Sequence, residues 1–281
     1  MYEELNLDLQ SFAKRTYDSI LYQSTFYNFL NTSYIGELRQ TGAPVIEIVK
    51  TDKLSVNVRQ TKEIQNRLNP ALTTYSHTMV DLTELNMDYS VRVPLMVTGS
   101  DITNAVQDTA DLEDSAIARQ IDVYGYGKLA AASIDEFEWD PSTQQDYIDN
   151  LNALRAKLFN KDITGEYRLG LGANEYAKYV SALTSILKFE TLQGREGVDM
   201  GIIARAYGIN AFEINDNVLS GEVGYFYNPI AVVGDTFMSA FVQHNSPQGY
   251  PGYYCLEGTV SFGCAVVRPE AIIRLVKEIS A

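Results

Sequence analysis

VIEIVKTDKLSVNVRQ (Val45–Gln60) and HTMVDLTELNMDYSVRVP (His77–Pro94) flank a polar span, QNRLNPALTT (Gln65–Thr74). In the first run Leu54, Val56 and Val58 alternate with Ser55, Asn57 and Arg59, the two-residue period of a strand. The second run is rich in Thr, Val and Tyr and breaks at Pro94. The sixteen residues of the first run would span roughly 50 Å when extended, whereas strands of globular domains run about 5 to 6 residues. The reading is a long two-stranded ribbon, residues 45–94, with its tip in the polar span and no core of its own. Such a ribbon needs partners.

Composition bounds what surrounds it. The chain has 281 residues, 46% of them hydrophobic, enough for one large core or two smaller ones. Neither a basic signal peptide nor an apolar run of about 18 residues is present, so no membrane partner is expected. The formal charge of −14 argues against a protein that wraps nucleic acid, because neutralising phosphate takes clustered Lys and Arg.

Catalytic and metal chemistry find little to work with. Cys255 and Cys264 lie nine residues apart, an odd separation that places them on opposite faces of one regular strand, so two buried free thiols are expected rather than a disulfide. His77 and His244 stand in no metal spacing and beside no nucleophile pattern. Gly170 and Gly172 lack the third glycine and the downstream acid of a dinucleotide fingerprint. Acid pairs such as Asp108 with Asp111 and Glu136 with Glu138 read as solvated faces. No catalytic residue, cofactor or metal site is expected, and the chain is read as not an enzyme.

The remaining segments read as an α+β protein. Residues 1–34 carry Phe12, Tyr17, Ile20, Leu21, Phe26, Tyr27, Phe29 and Leu30 among acids, which predicts short amphipathic helices that need a surface to lie on. After the ribbon, residues 100–135 predict a long helix with a stripe through Leu112, Ala116 or Ile117, Ile121, Tyr124 and Ala131. Gly125 and Gly127 weaken it by about 1 kcal/mol each and mark a bend, a break or close backbone packing. Ser142 and Gln145 suggest a capping box before Tyr147, Leu151, Leu154 and Leu158. YRLGLG (Tyr167–Gly172) predicts a strand, Asn174 the cap of a helix bearing Tyr176, Val180, Leu183 and Leu187, and GIIARAYG (Gly201–Gly208) a short helix. INAFEIND and GYFYNPIAVVG return as strands. Nineteen Tyr against one Trp add amphipathic rings of the kind enriched at protein interfaces.

In this order of arm, ribbon, long helix, mixed domain and closing strand, the chain resembles the Hong Kong 97 fold of tailed-phage major capsid proteins and encapsulin compartments. The block GVDMGIIARAYGINAFEINDNV (Gly197–Val218) is similar to that family's glycine, short helix, glycine, strand passage, and FGCAVVRPEAIIRL (Phe262–Leu275) to its closing strand. The resemblance implies an N-terminal arm (1–34), an extended loop (35–94), a peripheral domain with a spine helix (95–135), an axial domain (136–257) and a return to the peripheral domain (258–281).

It also implies a function. Copies would assemble into hexamers and pentamers of an icosahedral or prolate head around double-stranded DNA, without sequence-specific contacts. The expected inter-subunit contacts are Phe12, Tyr17, Phe26 and Tyr27 of the arm, Lys53, Val56, Val58, Arg59, Lys62 and Arg67 of the ribbon, and Arg195 and Glu196 of an axial loop. Lys50, Lys53 and Lys62 occupy the loop that is crosslinked in some members, but no Asn or Glu partner stands out, so assembly is read as non-covalent. Starting at Met1 without a long charged segment points to a separate scaffolding protein, alongside a portal and decoration proteins. The expected location is the virion capsid, assembled in the host bacterial cytoplasm. The alternatives are an encapsulin shell enclosing a cargo enzyme and a cytosolic α+β enzyme with an insertion hairpin.

Overall fold

The computed structural model describes residues 9–31, 45–51, 75–94, 100–132, 134–183, 204–206, 209–239, 241–245, 249 and 251–277. Three sheets, one of them a two-stranded ribbon, and four helices carry the fold among these residues. The four-stranded sheet is built on one long strand, β11 (Tyr253–Val266), whose antiparallel partner along one side is β3 (Leu85–Pro94). Along its other side β11 pairs with β10 (Val242–Asn245) and then with β9 (Val232–Met238). The six-stranded sheet runs in the order β4 (Asp135–Glu138), β12 (Ile272–Val276), β8 (Gly224–Tyr227), β5 (Tyr167–Gly172), β7 (Ile209–Ile214) and β6 (Ala204–Ala206). All four residues of β8 are buried, as suits a strand covered on both faces.

The helices follow from local signals. Helix α1 (Leu9–Gln23) and a single 3-10 turn, Phe26–Phe29, form the arm. Helix α2, Ser100–Ala131, is continuous for 32 residues, about 48 Å at 1.5 Å per residue. Helix α3 (Gln144–Phe159) buries Tyr147, Leu151, Leu154 and Leu158 as the spacing predicts. Its capping box is Thr143 with Asp146, one residue later than the predicted Ser142 and Gln145, because the Asp146 carboxylate reaches back to the Thr143 and Ser142 amides (2.7 and 3.0 Å). Helix α4 (Ala173–Leu183) begins at Ala173. Asn174 is therefore not its cap; its backbone and side-chain nitrogens bond the Asp216 carboxylate instead.

The ribbon is half as the sequence predicts. β1 (Val45–Thr51) and β2 (Tyr75–Asp81) pair antiparallel from Val45 with Asp81 to Thr51 with Tyr75. The descending half, however, is not one strand. Asp81 Oδ1 accepts from the Thr83 amide and hydroxyl (2.8 and 2.7 Å), a side-chain turn of the Asx kind, and the chain then enters the four-stranded sheet as β3. The base also has a core of its own, contrary to expectation: Ile48, Val80 and Leu82 pack with Val233 and Val267. A Cβ on Gly263 of β11 would run into the Asp81 carbonyl, so the ribbon's heel lies directly on that strand. Residues 52–74, with Lys53, Val56, Val58, Arg59, Lys62 and Arg67, lie outside the described residues.

Helix α2 buries Ile117 and Ile121 of the predicted stripe but turns the two ends of that stripe outward. Val106, Ala110, Asp114, Ile117, Ala118, Ile121, Asp122, Tyr126 and Leu129 are buried, whereas Leu112 is 74% exposed and Ala131 faces solvent. No break occurs at Gly125. A Cβ there would penetrate the Phe26 ring, so the glycine is the seat of an arm aromatic. Gly125→Ala should therefore destabilise the protein by about 1 to 3 kcal/mol through overpacking, against the roughly 1 kcal/mol that helix propensity alone would add. Urea denaturation decides the sign.

Sheet membership departs from the expected segment boundaries. β9, β10 and the first part of β11 fall within 136–257 yet join the sheet of β3, while β12 falls within 258–281 yet lies between β4 and β8 of the six-stranded sheet. GYFYNPIAVVG is split accordingly, with a 3-10 turn at Pro229–Ala231 separating β8 from β9. The predicted helix at 201–208 gives way at Ala204–Ala206 to strand β6, which pairs with β7. Cys255 and Cys264 are both free and buried on β11, and burial pushes the Cys264 thiol up to about 12.

Candidate assembly interface

The arm is built into the subunit. After α1 the chain turns at Ser24 and Thr25 onto Asp122 of α2, whose carboxylate accepts from Ser24 Oγ (2.6 Å), Phe26 N (2.9 Å), Thr25 Oγ1 (3.0 Å) and Thr25 N (3.2 Å). Burial raises the Asp122 pKa, and these donors to the charged form oppose the rise. Beyond the turn, Phe29 stacks on Tyr227 with ring centroids 3.9 Å apart and meets Tyr126, Phe212 and Tyr225 edge to face. Arg168 Nη1 and Tyr227 Oη both donate to the Asn28 carbonyl at 2.6 Å. Asn31 N donates to the Val232 carbonyl (2.9 Å). The arm thus touches α2 and both of the larger sheets.

This placement corrects the contact role expected for its aromatics. Phe12 packs edge-on against Tyr89 and Phe241. Tyr17 Oη donates to Asp235 Oδ1 (2.9 Å). Phe26 is fully buried among Phe29, Tyr126 and Phe262, and Tyr27 bonds Thr236. All four rings are buried inside their own subunit. Asp122 escaped the sequence reading, although an acid inside the stripe of Ile117, Ile121 and Gly125 is a signal that something must reach in to satisfy it.

Two features remain for neighbours. On α2, Leu112 and Val123 are 74% and 47% exposed. They stand eleven residues apart, three helical turns, so they share a face, with exposed Asp108, Ala116 and Arg119 along the same stripe. The first half of that helix is acidic: Asp101, Asp108, Asp111, Glu113 and Asp114 occur with no Lys or Arg between Ser100 and Ser115. The ribbon's distal segment is the opposite. Residues 52–74 hold Lys53, Arg59, Lys62 and Arg67 against Asp52 and Glu63, a net +2 in a chain of −14.

The ribbon's heel is fixed to the same helix. Glu84, just past the turn, pairs with Lys128 Nζ at 2.8 Å and accepts from Tyr124 Oη. Those two partners, Lys128 foremost, hold its carboxyl below the usual range. Lys128 also sits 5.3 Å from the centre of the Tyr124 ring. Ribbon and helix are therefore held in a fixed relation to each other. Arg195 and Glu196 of the expected axial contact lie outside the described residues.

Known structures share this arrangement. A structure from Mycobacterium phage Che8 superposes with a TM-score of 0.60 at 17% identity, covering 92% of this chain and 93% of that one. The capsid structure of Cyanophage P-SCSP1u gives 0.59 at 12% identity, over 85% and 84% of the two chains. The chain has the Hong Kong 97 fold. The same fold accounts for the likeness to a virus-like particle from Pyrococcus furiosus, with a TM-score of 0.50 and 11% identity over 93% of this chain and 98% of that one. No family model and no curated protein matches the sequence. Within its Hong Kong 97 fold, the arm, heel and long helix form one connected unit, and among the described residues no three His, Cys, Asp or Glu side chains gather as a metal site.

Proposed function

We propose that this chain is the major capsid protein of a tailed phage, assembling as hexamers and pentamers into an icosahedral or prolate head around double-stranded DNA. The observation that carries the reading is the ribbon on its own small core, pinned to α2 by Glu84 and Lys128, beside a helix that turns Leu112 and Val123 outward and is acidic along its first half. In this reading the basic distal segment of one copy's ribbon lies along the acidic, Leu112-bearing half of that helix in the next. Opposite charges steer and orient such contacts, and burial of the ribbon's apolar side supplies the area. The role is structural rather than catalytic.

The overall negative charge suits a shell that packs DNA without gripping it, since repulsion keeps phosphate mobile along the wall. Scaffolding, portal and decoration proteins complete the proposed set of partners, and assembly takes place in the host bacterial cytoplasm. The likeness to the virus-like particle supports a second reading, a compartment shell filled with protein.

Electron microscopy of the chain expressed alone and with a scaffolding protein tests both. Closed shells are expected. Their contents separate the readings: nucleic acid packaged by a motor for the phage head, a protein cargo for the compartment. A monodisperse monomer or dimer that forms no shell under any scaffold-supplemented condition overturns both.

A further inference from the structure

Helices α1 and α2 run side by side in the same direction, with Arg15 opposite Asp111 (2.5 Å) and Ser24 opposite Asp122 (2.6 Å). Two acids of α2 are buried along this seam, and they are treated in opposite ways. Asp122 is met by four donors from the arm. Asp114, about two turns earlier, is fully buried, and neither of its oxygens meets a donor in good hydrogen-bond geometry, although the Ser19 and Tyr89 hydroxyls face it. The buried hydroxyls of Tyr89 on β3 and Thr16 on α1 meet no well-placed partner either.

An ionised carboxylate without a well-placed partner is among the costliest groups to bury. The cost disappears in two ways: the acid takes up a proton, or the seam opens and water reaches it. We infer that Asp114 is a proton-operated latch for the arm: when it is protonated, α1 lies closed on α2 and β3, and when it is ionised, the seam opens and frees Leu9–Gln23. The Asp122 clasp keeps Phe26–Leu30 in place in both states. The inference concerns the single subunit and stands independently of the proposed shell.

The groups facing Asp114 set the direction. Burial dominates and raises its pKa to about 6 from an ordinary 3.8. Asp111 on the same helix adds to the rise, while the Ser19 and Tyr89 hydroxyls and the Arg15 guanidinium oppose it. Tyr89 stays neutral, its own pKa raised by burial and by Asp114 and Glu113. Phe12 and Phe241 close on Tyr89 from the apolar side. For an acid whose folded pKa lies above its unfolded value, the stabilisation is complete below the unfolded value and is lost as pH climbs through the folded one. The latch is therefore shut near pH 4 and released above about 6.

Hydrogen exchange on the full chain at pH 5 and pH 8, with labelling times scaled for intrinsic exchange, reads the latch amide by amide. In the wild type, α1 should open about tenfold more often at pH 8 than at pH 5, as a pKa raised from 3.8 to about 6 requires over that interval, while Asn28 to Leu30 stay equally protected. Asp114→Asn should abolish the difference and keep α1 closed at both values. Arg15→Gln, which removes a nearby cation without touching the core, should move the opening midpoint to higher pH. Equal wild-type protection of α1 at the two pH values, an Asp114→Asn chain that keeps the difference, or an unmoved midpoint in Arg15→Gln overturns the latch.

Discussion

A chain from which residues 52–74 are removed, with Thr51 joined to Tyr75 through a short Gly-Ser linker, should fold normally and form no closed shell. The deletion begins where the described pairing ends, at Thr51 with Tyr75, and leaves all seven pairs of β1 with β2 in place. It also leaves the heel intact, with Ile48, Val80 and Leu82 against Val233 and Val267. Circular dichroism and thermal denaturation should match the parent. Assembly is a different matter, because stable obligate interfaces bury about 2,000 to 5,000 Å², and the deleted segment contributes four of the six basic residues of residues 45–94. Sedimentation should find only small species where the parent forms particles. Normal particles from the deletion would show that the ribbon tip is dispensable and would remove the basis of the proposed contact.

Phe29→Ala should lower stability by about 3 to 5 kcal/mol, the range for emptying a buried phenylalanine site. Phe29 is fully enclosed and touches rings from the arm, from α2 and from two strands of the six-stranded sheet. The cavity left behind has rigid walls on every side, so collapse into it is limited. Since whole domains are stable by only about 5 to 15 kcal/mol, Tm should fall by roughly 10 °C. Phe159→Ala is the control, because that ring is 61% exposed at the end of α3 and its removal should leave Tm nearly unchanged. Equal melting of the two variants would show that the arm is an appendage rather than part of the core.

Periodicity made some of this architecture legible and concealed the rest. Tyr147, Leu151, Leu154 and Leu158 repeat at helical spacing and all turn inward. The strand reading at residues 45–51 and 77–81 likewise matches β1 and β2. Helix α2 misled because it is apolar on two faces, and Leu112 belongs to the outer one. The turn after Asp81 contains no glycine, proline or asparagine between Leu82 and Glu84; it depends on one aspartate side chain holding Thr83, which no turn pattern flags. At Ala204–Ala206, pairing with β7 overrides a helix-favouring composition. The arm's aromatics announced that they needed cover but not whose, because Phe26 and its seat at Gly125 are 99 residues apart. That distance is why rings read as inter-subunit contacts proved to be intramolecular ones.

The position of β12 has a consequence for synthesis. Ile272–Val276, the last strand in sequence order among the described residues, fills the slot between β4 and β8, and β4 has no other strand partner among those residues. On the ribosome, the six-stranded sheet therefore stays incomplete until β12 has emerged, long after β4 and β8. A chain stopped before β12 can display its ribbon but cannot close its body, so it stays out of the pool of finished building blocks.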